Sequence, residues 1–189
     1  VLVKVARQAA DAGGAELMRH YGRLSSIESK GRIGDLVTNA DVAAERVVLE
    51  VLGRETPDIA VLAEESGAAG EQGGLRWCVD PLDGTTNFAT GIPVWAISVA
   101  RFVDGRPSEV FLDVPALGQR IVALRGRGVS RNQQALTASS RQNANSACVS
   151  LCSRSIRVLQ RKPNQPFPGK IRLFGVASLN LVSVAMGQT

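Results

Sequence analysis

Apolar positions in the first part of the chain recur with the period of an α-helix. From Leu2 to Tyr21 they fall three or four residues apart, which predicts one long helix with a weak point at Gly13-Gly14. A second helix should begin at a cap formed by Thr38 or Asn39 and end before Pro57. Its predicted inner face consists of Ala44, Val47, Val48, Val51 and Leu52.

The pattern then changes to short β runs. Ile59 to Leu62 and Arg76 to Val79 are apolar runs that predict two buried strands. From Ala96 to about Leu136, further β runs are separated by turn signals, which predicts an antiparallel meander. These turn signals are Asp104-Gly105, Leu117-Gly118, Gly126 to Gly128 and Asn132.

Beyond residue 147, strand and helix patterns alternate, which is typical of an α/β layer. The predicted elements are a strand at Ala147 to Leu151, a short helix at Ser155 to Gln160, a Pro-rich loop at Lys162 to Gly169 and a strand at Ile171 to Phe174. A last helix follows Gly175, with Ala177, Leu181, Val184 and Ala185 predicted to face inward. The predicted fold class is α+β leading into α/β. Residues 1–146 should form the N-terminal helices with an antiparallel sheet, and residues 147–189 should begin a second layer.

Composition favours a globular protein. The chain has 189 residues, of which 44% are hydrophobic, and no apolar run reaches the roughly 20 residues that a transmembrane helix requires. Charged residues interrupt the first 21 positions, unlike a signal peptide, so we predict a cytoplasmic protein that does not associate with membranes. Three cysteines, two of them spaced as Cys148 and Cys152, do not match a zinc motif and are predicted to be buried, reduced thiols.

The formal net charge of +5 does not by itself indicate a nucleic-acid-binding protein. Much of the excess lies in one stretch, which has only Phe167 and Phe174 as aromatic residues and contains no known nucleic-acid-binding motif. Its cations are Arg154, Arg157, Arg161, Lys162, Lys170 and Arg172. We therefore predict a solvated basic surface, and no nucleic-acid partner; a basic balance also suits an anionic substrate.

Acidic residues concentrate in three clusters. In the densest, the apolar strand at Trp77 leads into Asp80-Pro81-Leu82-Asp83-Gly84-Thr85-Thr86, so a turn could aim two carboxylates and the Leu82 carbonyl at one point. Oxygen ligands of this kind suit Mg²⁺, and Gly84 with Thr85 could present backbone N–H groups to a phosphate oxygen. The other clusters are Glu64-Glu65 and Asp35 with Asp41. Taken singly, each has a plainer interpretation, as a solvated pair, a simple turn or a helix cap.

Together these segments resemble the inositol monophosphatase family. The family signature matches Asp80 through Thr86, together with Trp77 before this segment and Asn87-Phe88 after it. The match continues through Gly91-Ile92-Pro93. Upstream, Asp35-Leu36-Val37-Thr38 with Asp41 and Glu45 resembles the family's Asp-Leu-Val-Thr motif, and Glu64-Glu65-Ser66 resembles its metal-binding segment. Downstream, Arg172 and Gly175 to Ser178 are similar to the stretch beside the substrate.

The resemblance implies a layered α-β-α-β-α sandwich and a Mg²⁺-dependent, lithium-sensitive phosphatase that is a homodimer. It implies that Glu64, Asp80, Asp83 and the Leu82 carbonyl bind metal. Thr85, hydrogen-bonded near Asp41, would position the attacking, metal-activated water together with Glu64. Backbone N–H groups of Gly84 and Thr85 would hold the phosphate, while Ala177 and Arg172 would border the rest of the substrate.

The substrate stays open at this stage. Inositol monophosphate is the first expectation, and histidinol phosphate, fructose 1,6-bisphosphate and adenosine 3′,5′-bisphosphate are alternatives on the same fold. Members of the family carry a further Trp-Asp motif that this sequence does not reach. We therefore expect a truncated chain with an incomplete second layer and impaired activity. A non-catalytic module that binds metal or phosphate is the alternative from another functional class.

Overall fold

The computed structural model describes most of the chain. The described residues are 2–29, 36–69, 74–141, 143, 147–152, 155 and 170–189. Several predicted features lie outside these residues. They are Asp35, the loops at Gly31 to Gly34 and Lys162 to Gly169, and the helix at Ser155 to Gln160 apart from Ser155 itself. Four of the six cations in the basic stretch also lie outside them.

Two long helices lie side by side at the start of the chain, as the apolar periodicity predicted. Helix α1 spans Leu2–His20 and α2 spans Asn39–Glu55. Thr38 caps α2 in a capping box with Asp41. Gly13 is no weak point, because it lies where α1 packs closely against both the sheet and α2. A Cβ there would collide with Ile97 Cδ1 and lie 2.7 Å from Val48 Cγ2.

The central feature is an eight-stranded mixed sheet. Its strands are β3 (Ala60–Ala63), β4 (Gly67–Ala69), β5 (Leu75–Asp83), β6 (Ala96–Val103), β7 (Arg106–Val114), β8 (Gln119–Leu124), β9 (Gly128–Arg131) and β10 (Gln134–Ala135). The spatial order is β10-β9-β8-β7-β6-β5-β3-β4. Strands β6 to β10 form the predicted antiparallel meander, whereas β3 pairs with β5 in parallel. The sheet is therefore mixed, and the parallel pair brings the ends of β3 and β5 together.

Two small sheets complete the described strands. Strands β1 (Ile27–Ser29) and β2 (Leu36–Thr38) form an antiparallel pair that leads into α2. Strands β11 (Cys148–Ser150) and β12 (Lys170–Arg172) form a parallel pair, as expected of an α/β layer. The short helix α3 (Thr85–Ala89) follows β5, and α4 (Ala177–Ala185) ends the chain.

The predicted inner face of α4 is wrong. Leu181 and Val184 are exposed, at 75% and 50%, whereas Val182 packs with the preceding Val176 against the sheet residues Ala96 and Leu112. Apolar side chains lie on opposite sides of this helix, so periodicity alone did not select one face.

The main core lies between the helix pair and the sheet. Trp77 and Trp95 are fully buried there, and Tyr21, Phe88 and Trp95 form a cluster with ring centroids 4.9 to 5.4 Å apart. The cysteines in the described part of the chain form no disulfide with one another, but Cys152 is exposed, so the prediction that all three are buried is wrong. None of the described helices is long and apolar enough to cross a membrane.

Candidate active site

The acidic cluster lies where the parallel strands β3 and β5 end. Glu64 follows β3 directly, and its N–H donates to the Val79 carbonyl at 3.1 Å. Strand β5 continues to Asp83, with its register against β6 shifted between Asp80 and Asp83. The two aspartates therefore come from an irregular strand end rather than from the tight turn that the sequence predicted. The Leu82 N–H donates to Asp80 Oδ1 at 3.1 Å, which fixes the Asp80 carboxylate within this segment.

Asp80 occupies the most strongly perturbed position in the cluster. Burial, followed by the negative charges of Glu64 and Asp83 and a side-chain hydrogen bond with Glu64, raises the pKa of Asp80 to about 8. A proton shared between two adjacent carboxyl groups is the usual result of concentrating negative charge without a compensating cation. A cation bound beside Glu64 and Asp80 would relieve this repulsion.

A second network joins α2 to the start of α3. The Thr85 hydroxyl lies 3.1 Å from both Asp41 Oδ1 and the Leu82 carbonyl oxygen. Asp41 Oδ2 accepts from the Thr38 N–H at 2.8 Å and from the Thr38 hydroxyl at 2.6 Å. Burial raises the pKa of Asp41, and the hydrogen bonds from Thr38 and Thr85 oppose that rise. Asp41 is thus both the partner of the N-cap residue Thr38 in the capping box of α2 and the partner of Thr85.

Asp83 connects the cluster to the last helix. Its Oδ1 accepts from the Ala177 N–H at 3.1 Å and its Oδ2 accepts from the Ser178 N–H at 2.6 Å. The next residue, Gly84, has φ of +96°, and a Cβ there would lie 2.7 Å from Val176 Cγ2. Only glycine satisfies both the backbone angle and this close approach. The site and the start of α4 are therefore fitted directly to one another.

The structure brings six of the predicted site residues to one cavity of about 220 Å³. The cavity lining consists of Leu36, Glu64, Asp80, Leu82, Asp83, Gly84, Thr85, Thr86 and Gly175. Asp41 reaches this group through Thr85, and Ala177 reaches it through its backbone bond to Asp83. Arg172 does not line the cavity; it is exposed, and its guanidinium donates to the Ile171 carbonyl at 2.9 Å.

The donor set suits a hard divalent cation. Among the described residues, no three His, Cys, Asp or Glu side chains converge as a preformed cage. Mg²⁺ does not require one, because it is commonly held by one or two carboxylates and keeps several waters. Glu64 and Asp80, which are hydrogen-bonded to each other, supply that pair, and the Leu82 carbonyl lies in the same cavity. The residues therefore fit Mg²⁺.

Two contacts around the cavity were not anticipated from the sequence. The Asn87 side-chain amide donates to the carbonyls of Val94 at 2.7 Å and Phe174 at 2.8 Å, which ties α3 to the segment before α4. The Glu45 carboxylate accepts from the N–H groups of Glu65 and Ser66. The sequence had indicated Glu45 only as part of the motif with Asp41; its position four residues later, on the same face of α2, is the signal for a shared role.

Comparison with known proteins places this chain in a family. The family described as the inositol monophosphatase family matches residues 1–189. Inositol-1-monophosphatase of Synechocystis sp. is 33% identical over 194 aligned residues, covering 98% of this chain and 68% of that protein. Histidinol-phosphatase of Mycobacterium tuberculosis is 49% identical over 92 residues, covering 49% of this chain and 35% of its own length.

A solved structure agrees with the fold. The extragenic suppressor protein suhB from Bartonella henselae superposes with a TM-score of 0.91 at 32% identity, covering 100% of this chain and 76% of that one. The predicted family resemblance and sandwich fold are thereby confirmed. Relatives in this family are phosphatases, that is, phosphoric monoester hydrolases. Because the match extends over residues 1–189, the chain belongs to the inositol monophosphatase family.

Proposed function

We propose that this protein hydrolyses a small phosphate monoester with Mg²⁺ as its cofactor. The observation that carries the proposal is the pair of Glu64 and Asp80, which line one polar cavity with Asp83 and share a hydrogen bond. Burial and these acidic neighbours raise the pKa of Asp80 to about 8. Glu64, Asp80, Asp83 and the Leu82 carbonyl would hold the cation. When bound, Mg²⁺ supplies charge neutralisation for the phosphate and increases the acidity of water.

The chain's own residues would orient the nucleophile. Asp41 is the stronger acceptor for the Thr85 proton, because a carboxylate accepts more strongly than the Leu82 carbonyl. With its proton directed to Asp41, the Thr85 hydroxyl oxygen can accept a hydrogen bond from the attacking water. Glu64 lies in the same cavity and would receive a proton from that water as a general base. No covalent intermediate with the protein is required.

Phosphate would occupy the cavity beside the start of α3. The first N–H groups of a helix have no acceptor within the helix, so those at Gly84 and Thr85 suit phosphate oxygens. Gly175 also lines the cavity, two residues before Ala177, whose N–H donates to Asp83. Ala177 would border the alcohol portion of the substrate. A role for Arg172 would have to be exerted from outside the cavity.

Inositol monophosphate is the substrate that we propose first, because similarity to the Synechocystis inositol-1-monophosphatase extends over nearly the whole chain. Histidinol phosphate is the second candidate, because the chain is 49% identical to a histidinol-phosphatase over 92 residues. We also propose a cytoplasmic homodimer that does not bind nucleic acid or membranes. Sedimentation analysis of the complete protein would test the dimer.

A phosphate-release screen tests the function. The complete protein is incubated with inositol monophosphate, histidinol phosphate, fructose 1,6-bisphosphate and adenosine 3′,5′-bisphosphate, each with Mg²⁺ or with EDTA. We expect release that requires Mg²⁺ and is fastest with inositol monophosphate, and an Asp80→Asn variant should show almost none. Calorimetric Mg²⁺ binding without release from any substrate would instead support a non-catalytic binding module.

A further inference from the structure

Glu45 is a buried carboxylate outside the cavity whose hydrogen bonds converge on one loop. It lies on α2 and is only 4% exposed. Its Oε2 accepts from the Glu65 N–H at 2.8 Å and its Oε1 accepts from the Ser66 N–H at 2.9 Å. Burying a carboxylate is costly unless hydrogen bonds compensate the lost hydration. Both Glu45 oxygens accept from consecutive amides of one loop, so the same bonds that compensate the burial also hold that loop.

The loop that Glu45 holds begins with Glu64. The Glu64 N–H already donates to the Val79 carbonyl of β5. Three consecutive N–H groups, from Glu64 to Ser66, therefore have fixed acceptors, the first in the sheet and the next two in α2. A loop anchored on both sides has little freedom to redirect the side chain at its first position. The backbone position from which the Glu64 side chain extends is consequently fixed from outside the cavity.

Asp41 and Glu45 act from one helix face. They are four residues apart on α2, so their side chains lie one above the other, and both are almost fully buried. Asp41 holds the Thr85 hydroxyl and Glu45 holds the loop of Glu64. One rigid turn of α2 therefore holds both Thr85 and the loop that begins with Glu64. This arrangement fixes the separation between Glu64 and Thr85 more firmly than two independent loops could.

We propose that Glu45 is a positioning residue that aims Glu64 at the cation site, so that α2 sets the spacing between Glu64 and Thr85. The inference rests on the proposed function in that it takes Glu64 to be a metal ligand. Groups that orient metal ligands typically change metal affinity by about 10- to 100-fold when they are mutated. Glu45 should therefore control Mg²⁺ affinity without touching the ion or the substrate.

Glu45→Gln is the informative substitution, because it keeps the shape of the side chain. A glutamine has one acceptor oxygen, and its NH₂ group would face the second loop N–H, so one of the two bonds is lost in either orientation. We expect calorimetric Mg²⁺ affinity of the complete, substrate-free protein to fall by about 10-fold or more. The Mg²⁺ concentration for half-maximal activity should rise by the same factor, while KM for the phosphate monoester at saturating Mg²⁺ changes less than about 2-fold.

Two control variants on the same helix separate positioning from simple destabilisation. Val48→Ala removes a fully buried side chain that makes no bond to the loop, so it should lower Tm and leave Mg²⁺ affinity within about 2-fold of wild type. Glu50→Gln changes an exposed carboxylate paired with Arg46 and should alter neither quantity. Unchanged Mg²⁺ affinity in Glu45→Gln, or an equal loss in Val48→Ala, would overturn the proposal.

A double variant tests whether the effect passes through Glu64. In a Glu64→Gln background, Glu45→Gln should cause no further loss of Mg²⁺ affinity, whereas independent effects would multiply and contradict the proposal. If Glu45→Gln fails to fold, hydrogen exchange of the wild-type protein tests the proposal instead. Fast exchange of the Glu65 and Ser66 amides would overturn the proposal. Mg²⁺ binding is measured without substrate, so an absence of phosphate release would refute the proposed activity alone.

Discussion

At the scale of single residues, the contacts of the Thr85 hydroxyl differ from those of a helix cap. The residue that precedes α3 as its N-cap is Gly84, and it makes no side-chain capping bond. The Thr85 hydroxyl instead lies within hydrogen-bonding distance of Asp41 and of the Leu82 carbonyl. Truncation of Thr85 should therefore affect the orientation of the nucleophile more than the stability of α3.

We predict that Thr85→Ala lowers kcat by roughly 10²-fold or more, the size typical of a positioned proton-transfer group. Calorimetric affinities for Mg²⁺ and inorganic phosphate should stay close to wild type, because the carboxylates and backbone amides are unchanged. Thr85→Ser is the matched control and should recover much of the loss, since it restores the hydroxyl. A fall in Tm with kcat within a few-fold of wild type would contradict this role.

At the scale of elements, α1 and α2 can pack closely because position 13 has no side chain. The site depends on this contact, since α2 carries both Asp41 and Glu45. A Cβ at Gly13 would overlap Ile97 of β6 and approach Val48 of α2. The sequence correctly indicated both helices. It could not indicate that Gly13-Gly14 is a contact point, because the close contact depends on Ile97 and Val48, which other elements supply.

Gly13→Ala should destabilise the protein by about 1 to 3 kcal/mol, the usual cost of overpacking a well-packed core. Gly53 provides the matched control, because it lies near the end of α2 and a Cβ there meets nothing within 4 Å. Gly53→Ala should stabilise the protein by about 0.5 to 1 kcal/mol through helix propensity and reduced entropy of the unfolded chain. Denaturant unfolding of both variants measures the difference, and equal effects in the two would rule out the steric explanation.

At the scale of the whole molecule, the carboxylate cluster lowers the stability of the folded protein unless a cation is bound. The folded protein holds a proton at Asp80 up to about pH 8, whereas the unfolded chain releases it near the ordinary pKa of 3.8. Because the folded state binds more protons in this interval, this group makes the metal-free protein less stable as pH rises from about 4 to about 8. Mg²⁺ bound to the folded state, as proposed above, should offset the loss.

Asp80→Asn should therefore raise Tm of the metal-free protein, and by more at pH 8 than at pH 5. A neutral amide removes the repulsion with Glu64 and Asp83, and it is also a poorer ligand for Mg²⁺. Thermal unfolding with and without Mg²⁺ provides the measurement. Wild type should gain stability with Mg²⁺ and the variant should gain little, so a variant that is less stable than wild type at pH 8 without Mg²⁺ would contradict the prediction.

The sequence by itself determined the elements, the family and the acidic motifs, because these depend on local periodicity and on residues that are close together in the chain. The two long helices, the meander and the grouping of Asp80 to Thr86 all follow from such short-range information. It did not determine the irregular end of β5, the inward face of α4 or the exposure of Cys152. Each of these depends on neighbours supplied by distant segments.

Only the tertiary structure decided how separate motifs combine into one cavity. The parallel pairing of β3 with β5 brings Glu64 to Asp80, and a single face of α2 reaches Thr85 and the loop after β3. Asp83 is joined to α4 across 94 residues of sequence. Hydrogen bonds and charge repulsion act over a few ångströms, so their partners are defined by proximity in the fold and not by order along the chain.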